Sequence, residues 1–420
     1  MRGWKGAFAA LFVCSWAGNQ FSPLLLMYKQ VEGYSTVTVN AFLGVYVLGL
    51  VPSLLLAGPL SDRFGRRRLM VVAAGTAIAT SAVLALGVTG AAPIYLGRLL
   101  AGLTVGTAMA VGTTWLKELS TGSYDPGADA GSGARRASIA FSLGSGLGAL
   151  AAGALAQWGP WPEVTPYLVH LLFAVPLLVV VPRVQETRAA RPVHESVRQA
   201  LRLPAARHRR FRWVVAVGAP WIFGLAALSY GYVPVLLSDQ VGDLGVAYAT
   251  LLTVVALSIS ALVQPVAKRL DRIDSARGII VALSVLTAAV AAVAATDLLA
   301  SPVLGVVAAA IAGTGIGIAL SSGLLEVQRI AGPAHLAGLT GLFYAIAYVG
   351  FLLPTVMAAV TPPFTTTELF GILLVLAAAS VVTATVNSRR HLPRPVTAAE
   401  PAPGRPVAAL VDESTGTPAH

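Results

Sequence analysis

The chain has 420 residues, of which 56% are hydrophobic and only 11% are charged, and its mean hydropathy is +0.76. A soluble domain carries about 25% charged residues, so this composition excludes an ordinary soluble enzyme. The sequence holds a single cysteine, Cys14, and its histidines are scattered without metal-ligand spacing, which excludes a disulfide framework and a multi-cysteine zinc site. We therefore expect neither a metal centre nor a cofactor.

Twelve apolar stretches, bounded by charged residues, Pro or Gly, follow one another along the chain. A helix of about 20 apolar residues crosses the roughly 30 Å hydrocarbon core of a bilayer with its backbone amides paired. The approximate limits are 6 to 28, 38 to 60, 69 to 89, 92 to 116, 137 to 157, 166 to 182, 213 to 237, 245 to 266, 278 to 296, 301 to 325, 335 to 358 and 367 to 386. This pattern predicts an all-α integral membrane protein with twelve transmembrane helices.

The basic residues predict how these spans are oriented. The chain has 29 Lys and Arg against 18 Asp and Glu, a formal net charge of +11, which in a soluble protein would suggest nucleic-acid binding. If both termini are cytoplasmic, every basic residue except Lys29 and Arg98 falls in a cytoplasmic segment, as expected for a protein of the plasma (cell inner) membrane. The partner is then the lipid bilayer, and no nucleic acid is expected.

An internal repeat divides the chain into two halves. Residues 58 to 66 align with residues 264 to 272 at an offset of 206, and nine arginines lie in the segment between the halves. We predict an N-terminal six-helix bundle at 1–182, a cytoplasmic basic linker at 183–212, a C-terminal six-helix bundle at 213–386 and a disordered cytoplasmic tail at 387–420. Two similar bundles would enclose a site near the membrane midplane and move by alternating access.

The loop between the second and third predicted spans carries a motif. Its sequence is Gly58-Pro59-Leu60-Ser61-Asp62-Arg63-Phe64-Gly65-Arg66-Arg67-Arg68. It closely resembles the signature loop of the major facilitator superfamily, G-x-L-[A/S]-D-R-x-G-R-[R/K]-[R/K]. The resemblance implies the major facilitator fold, with twelve helices in two pseudo-symmetric six-helix bundles.

Two further spans carry weaker signatures. Arg98, Gly102 and Gly106 in the fourth span resemble a second signature, found in proton-linked members of the superfamily. Gly144 and Gly148 in the fifth span are similar to an antiporter signature, G-x-x-x-G-P-x-x-G-G, although its Pro and one Gly are replaced by Ala. Together these motifs resemble those of bacterial drug/proton antiporter-like exporters.

In the superfamily the motif loop braces one state of the transporter, so the resemblance implies a cytoplasmic gate. Carried over, Asp62 would face the start of the eleventh span near residues 335 to 338, where free N–H groups favour an anion. The predicted gate residues are Gly58, Asp62, Arg63, Gly65, Arg66 and Glu118, and a second-half gate is predicted at Arg269, Arg272, Glu326 and Arg329. The alternatives are a loop that serves orientation alone and, in the second half, a solvated surface pair.

Arg98 is the only basic residue inside a predicted span, where charge is costly and usually functional. Asn19 and Gln20 on the first span lie at a similar depth, while Trp221 and Tyr230 on the seventh offer aromatic walls for a flat or cationic molecule. The family resemblance places the first, fourth, seventh and tenth spans around a central substrate cavity. Helix-packing hydrogen bonds and anchoring at the membrane interface remain as alternatives.

Proton coupling needs a group that changes protonation, and the centres of the predicted spans contain no Asp or Glu. The candidates are Arg98, His170 in the sixth span and Glu32 just beyond the first. A hydrogen-bonded histidine packed against the third or fourth span, or a carboxylate supplied by the substrate, are the alternatives.

The sequence therefore predicts a secondary active transporter rather than an enzyme, because it contains no clustered acid, His or Cys centre. We expect a monomer that exports a small organic compound by alternating access with proton coupling. An importer or facilitator of a small polar nutrient is the alternative within this class. A membrane sensor with a transporter fold that does not transport is the alternative from another class.

Overall fold

The computed structural model describes residues 3–129, 131–188, 203–331, 336–361 and 363–392. We call residues 3–188 the first half and residues 203–392 the second half. The predicted tail falls mostly in 393–420, and part of the predicted linker falls in 189–202, outside the described residues.

The described residues form an all-helical fold. The helices of the first half are α1 (Gly3–Asn19), α2 (Leu25–Val31), α3 (Thr36–Phe64), α4 (Arg66–Ala85), α5 (Ala91–Thr107), α6 (Thr113–Glu118), α7 (Ser132–Trp158), α8 (Thr165–Ala174) and α9 (Leu177–Val180). Those of the second half are α10 (Ala216–Ala226), α11 (Val233–Leu236), α12 (Ser238–Val241), α13 (Gly245–Leu270), α14 (Arg277–Leu299), α15 (Pro302–Ile330), α16 (Leu336–Val349), α17 (Leu353–Val360) and α18 (Thr366–Asn387). The π-helical segments Ala108–Gly112, Phe211–Val215 and Ala227–Tyr232 join some of these helices into longer runs.

Eleven helical runs among the described residues are long and apolar enough to cross a membrane. The first predicted span is not among them, because α1 has 17 residues and ends at Asn19. A 3-10 turn, Ser22–Leu24, then leads into the short helix α2. Pro23 stands in that turn and has no N–H to donate, so it explains why the first helix is interrupted where the sequence pattern predicted a continuous span.

The helix ends of the bundle lie at two faces. One face carries the motif loop between α3 and α4, the start of α1, the ends of α6, α15 and α18, and residues 183–188 and 203–212; we call it the motif face. The other, where α2 and the start of α3 lie, is called the opposite face.

Hydrogen bonds join the two halves at the opposite face. Thr355 of α17 donates to the carbonyl of Asn40 at 2.7 Å. Gln157 of α7 donates to the carbonyl of Asp243 at 2.8 Å and accepts from the amide of Ala247, also at 2.8 Å. The halves are thus held together near the start of α3 and at the end of α7.

Candidate functional site

The motif loop turns sharply at Gly65, between α3 and α4. Its φ is +97°, a conformation that favours glycine. A β-carbon at this position would lie 2.5 Å from a carboxylate oxygen of Glu186. The backbone conformation therefore favours glycine here, and a side chain at this position would also displace the Glu186 carboxylate.

Arg66 is the centre of the charge cluster on the motif face. It is 7% exposed, and its guanidinium lies 2.8 Å from Asp62 and 3.3 Å from Glu118. It also donates to Ser61, whose hydroxyl donates in turn to the Gly58 carbonyl. We call Asp62, Arg66 and Glu118 the first cluster, in which one buried cation holds two partly exposed acids.

The residues that follow the sixth predicted span dock onto this cluster. Glu186 accepts hydrogen bonds from the backbone amides of Arg66 and Arg67, each at 2.9 Å, so it caps the amino end of α4 with a negative charge. Thr187 donates to Glu118, and Arg188 lies 3.3 Å from Asp62. The sequence analysis missed these three residues, although an acid in an otherwise arginine-rich segment was an available signal.

The predicted partner of Asp62 at the start of the eleventh span lies at 332–335, outside the described residues. In the described part of the chain, Asp62 contacts Arg66 and Arg188. Arg63 is exposed, and its guanidinium lies 5.3 Å from the ring of its neighbour Phe64.

A second cluster lies at the motif face of the second half, around Glu326 at the end of α15. Both carboxylate oxygens accept from Arg210, at 2.6 and 2.8 Å, and both side chains are almost fully buried. Arg210 also donates to the carbonyl of Ser388, whose hydroxyl accepts from the Ala276 amide. We call Arg210 and Glu326 the second cluster; it ties α15 to the end of α18 and to the start of the second half.

The other predicted residues of the second-half gate surround this pair. Arg329 lies 3.4 Å from Glu326, pairs with Asp271 and donates to the carbonyl of Arg272 at 3.0 Å. The side chains of Arg269 and Arg272 are exposed. Arg210, which the sequence analysis did not select, supplies the buried cation instead.

Arg98 lies inside the first half and is 1% exposed. Its guanidinium carbon is 4.6 Å from the ring centres of Phe21 and of Tyr46. Nε donates to the carbonyl of Phe42 at 3.1 Å, and Nη1 donates to the carbonyl of Gly18 at 3.3 Å. The Gly18 carbonyl is one of the acceptors that the end of α1 leaves without an intrahelical donor, so Arg98 stabilises the interruption of the first helix.

Close packing of α3 against α5 positions Arg98. A β-carbon on Gly102, one turn beyond Arg98, would lie 2.1 Å from the carbonyl oxygen of Tyr46. Only glycine permits this approach, which brings the Tyr46 ring over the guanidinium. The glycine spacing that resembles a family signature thus has a direct structural reason.

Irregular backbone occurs at matching places in the two halves. The interruption after α1 covers residues 20 to 24, and the π-helical segment Ala227–Tyr232 lies at the equivalent position under the 206-residue repeat. That segment contains the buried Tyr230, and a β-carbon on its Gly231 would lie 3.3 Å from the Leu43 side chain, next to Phe42. Irregular backbone at membrane depth commonly marks binding sites in transporters, and here the first segment contacts Arg98 through Phe21.

The remaining polar residues of the first span form a separate chain of hydrogen bonds. Gln20 donates to Ser81 at 2.9 Å, Ser81 contacts Nδ1 of His170 at 2.7 Å, and Nε2 of His170 contacts the Val13 carbonyl at 3.0 Å. A carbonyl only accepts, so Nε2 carries a proton, and Nδ1 is left to accept from Ser81. Asn19 bonds to Ser145 of α7 at 3.1 Å. These contacts join α1 to α4, α7 and α8.

Aromatic side chains line the contact between the halves beside Arg98. The ring of Tyr46 lies 6.2 Å from that of Tyr348 and 6.1 Å from that of Phe351. Phe223 of α10 stacks on Tyr348 at 3.8 Å. Trp221, predicted to line the cavity, instead donates its indole N–H to Ser380 of α18 at 3.0 Å.

Two carboxyl groups meet at the opposite face. The pKa of Glu163 is raised to about 7, first because its carboxyl group is partly buried and then because it shares a hydrogen bond with Glu32, whose charge repels its own. Beneath this pair the hydroxyls of Tyr28 and Tyr167 lie 3.0 Å apart. Elsewhere, the described residues include no group of three or more His, Cys, Asp or Glu that could hold a metal ion.

Comparison with known proteins matches this chain to one protein family and to solved structures. The sequence matches the family described as Major Facilitator Superfamily over residues 7–355. A search of curated protein sequences finds no match.

Solved transporter structures share this fold at low sequence identity. A mutant of the nucleoside transporter NupG is 14% identical with a TM-score of 0.70, covering 91% of this chain and 97% of that one. The human organic anion transporter MFSD10 (TETRAN) is 18% identical with a TM-score of 0.62, covering 91% and 99%. A POT family transporter in complex with a thioalcohol conjugated peptide is 11% identical with a TM-score of 0.71, covering 91% and 94%. Because the family match spans most of the sequence, this chain belongs to the major facilitator superfamily.

Proposed function

We propose that this protein exports a small organic compound by alternating access, coupled to protons, as a monomer in the plasma membrane. In this proposal the chain crosses the bilayer twelve times, with α1 and α2 together forming the first crossing. The motif face and both termini are cytoplasmic. Family membership and the transporter structures of similar fold support a transporter rather than an enzyme.

The observation that carries the proposal is that the described hydrogen bonds between helix ends of the two halves lie at the opposite face. Alternating access requires a state in which one side of the central site is closed. In the proposed orientation that side is external, so these hydrogen bonds support a state closed to the outside. In this state Asp62 pairs with Arg66 and Arg188 on its own side of the molecule.

The other half of the cycle requires the motif face to close. We propose that Asp62 then exchanges Arg188 for the amino end of α16, whose free N–H groups favour an anion. Arg66 would keep Glu118 and Asp62 in place during this exchange, because it is buried and bonded to both. The two partly exposed acids and the buried arginine act as a gate in this scheme.

For proton coupling we propose the pair Glu32 and Glu163 at the external face. The raised pKa of Glu163, about 7, means that it exchanges a proton near physiological pH. His170 is a weaker candidate, since both of its ring nitrogens are hydrogen-bonded. Arg98 would then contribute to substrate binding more than to proton transfer.

Counterflow in proteoliposomes tests this function. The purified chain is reconstituted and loaded with unlabelled compounds from a panel of nucleosides, organic anions and short peptides, with and without a pH gradient. We expect counterflow of at least one compound, and an acidic exterior should accelerate its efflux. The absence of counterflow across the panel from vesicles containing folded protein would overturn the proposal.

Uptake of a small polar nutrient is the second candidate function. It is favoured by the bonding of His170, which leaves its imidazole fully engaged among packed helices, and by the paucity of acids near Arg98 in the described part of the chain. Proton-dependent efflux from inverted vesicles supports export, whereas accumulation by whole cells supports uptake. Ligand binding without counterflow would instead indicate a sensor with a transporter fold.

A further inference from the structure

Within the described part of the chain, no acid neutralises the charge of Arg98. Arg66 and Arg210 are each held by carboxylates, whereas Arg98 forms no ion pair with any Asp or Glu among the described residues and is 1% exposed. Removing a charged group from water costs several kcal/mol even after the protein relaxes around it. A buried guanidinium without a carboxylate therefore needs another source of stabilisation.

The contacts of Arg98 supply only part of that stabilisation. The rings of Phe21 and Tyr46, each 4.6 Å away, contribute cation–π attraction. Two backbone carbonyls accept from Nε and Nη1. Nη2 has no hydrogen-bond partner in the described part of the chain. Its two N–H groups are therefore available to donate to another group.

The ring of Tyr46 lies between Arg98 and the contact between the two halves. Tyr46 covers the guanidinium on that side, and its ring packs against Tyr348 and Phe351 of the second half. Separation of the halves beside Tyr46 would remove these neighbours from the ring that covers one side of the guanidinium.

We propose that the transported compound is an organic monoanion and that Arg98 binds its carboxylate or equivalent oxyanion. This inference rests on the proposed transport function and adds the chemical class of the substrate. An Arg fork matches a carboxylate with two parallel hydrogen bonds, and the anion supplies the counter-charge that the described residues lack. The apolar part of the compound would pack on the wall formed by Phe223, Tyr348 and Phe351.

The test compares aromatic carboxylates with their neutral amides. Benzoate and indole-3-acetate are the anionic probes, and benzamide and indole-3-acetamide are the matched neutral probes. For the full-length purified protein, thermal stabilisation gives binding, and counterflow in proteoliposomes gives transport. We expect binding of a carboxylate at least tenfold tighter than of its amide, with counterflow of the carboxylate alone.

Variants assign this preference to Arg98. Arg98→Gln should reduce the carboxylate preference to less than twofold, and Arg98→Lys should keep part of it, since the charge remains but the fork is lost. Arg135→Gln is the matched control, because Arg135 is an exposed arginine paired with Asp129 far from this site. Tyr46→Phe, which keeps the ring, should retain the preference if Arg98→Gln fails to fold.

The outcomes separate this inference from the transport function. Counterflow of neutral or cationic compounds without carboxylate binding overturns the anion site and leaves transport standing. Carboxylate binding without any counterflow supports the anion site and overturns transport. Equal affinity of the wild-type protein for carboxylates and amides, or loss of preference in Arg135→Gln, overturns the assignment to Arg98.

Discussion

The two charge clusters on the motif face occupy related positions in the repeat but are built differently. In the first cluster a buried arginine from the motif loop holds Asp62 and Glu118, whose side chains are 40% and 33% exposed. In the second, Glu326 is 4% exposed, and its cation, Arg210, comes from the start of the second half. The two halves of the repeat thus contain one partly exposed cluster and one buried cluster.

This difference in exposure implies a difference in role. A partly exposed ion pair contributes about 0–1 kcal/mol, since water stabilises the separated charges nearly as well. Removing one partner of a buried pair costs about 3–5 kcal/mol, because the other charge is left without compensation. Under the proposed mechanism the first cluster would therefore exchange partners at low cost, whereas the second would hold its helices together.

Glu326→Gln is expected to have the largest effect on stability. It leaves Arg210 charged and buried, which should lower the free energy of unfolding by about 3–5 kcal/mol. The measurement is the melting temperature of the purified protein in detergent. Arg329→Gln, which removes a side chain that is 20% exposed, is the matched control and should cost far less. Equal losses of melting temperature in the two variants would contradict the distinction between buried and partly exposed ion pairs.

Asp62→Asn should change transport far more than stability. Its two ion pairs are partly exposed, so we expect a loss of less than about 1 kcal/mol in unfolding free energy. Transport should fall roughly tenfold, which corresponds to about 1.4 kcal/mol of gate stabilisation. Initial rates in proteoliposomes check this, with Asp129→Asn as a control from another exposed pair. A well-folded Asp62→Asn protein that transports at the wild-type rate would refute the gate assignment.

Glu186→Ala tests whether the docked segment contributes to the first cluster. The variant removes a negative cap from two backbone amides at the start of α4, and loss of a helix cap typically costs about 1 kcal/mol. The melting temperature should fall by an amount between those of the two preceding variants. Glu186→Gln, which keeps acceptor oxygen but not charge, should lose less. If the two variants have the same stability as the wild type, the segment is not a cap.

The carboxyl pair at the opposite face differs from both clusters, since Glu163 has an acid rather than an arginine as its neighbour, with Tyr28 and Tyr34 nearby. Its folded pKa of about 7 lies above the ordinary value of 4.5, so the folded state keeps this proton to higher pH than the unfolded state. Stability should therefore decline as pH rises from about 4.5 to about 7 and then level off.

Because Glu163 is partly exposed, we expect this decline to be under about 1 kcal/mol, the smallest of these effects. Melting temperatures measured between pH 5 and 8 should flatten in Glu163→Gln and also in Glu32→Gln. A pH profile of Glu163→Gln that is identical to that of the wild type would exclude the pair as a titrating unit.

The helical fold and its membrane-length spans could be predicted from the sequence, because apolar periodicity over about 20 residues is a long and unambiguous signal. The interruption after α1 could not be, since the residues around Pro23 remain apolar enough to continue a span. The preference for glycine at Gly65 followed from the motif, but its contact with Glu186 is long-range and leaves no local pattern.

The partners of charged residues were harder to predict than their positions. The sequence predicted a second-half gate in which Arg269, Arg272 and Arg329 lie near Glu326, yet the buried cation is Arg210, which lies 116 residues away in sequence. Burial selects one arginine among many, and composition alone does not indicate which one is buried. The indole N–H of Trp221 likewise donates to Ser380 of α18. Its position on the helix alone did not indicate which neighbour it would contact.

The interruption of the first helix links distant parts of the molecule. α2 is covalently part of the first half, yet Gly245 of the second half packs so closely on it that a β-carbon would lie 2.6 Å from the Leu26 side chain. A few residues earlier, Phe21 and the Gly18 carbonyl contact Arg98. Adding a single methyl group at Gly245 would therefore displace the Leu26 side chain, five residues beyond Phe21. A buried packing contact between the halves thus adjoins the short segment that contacts the buried cation.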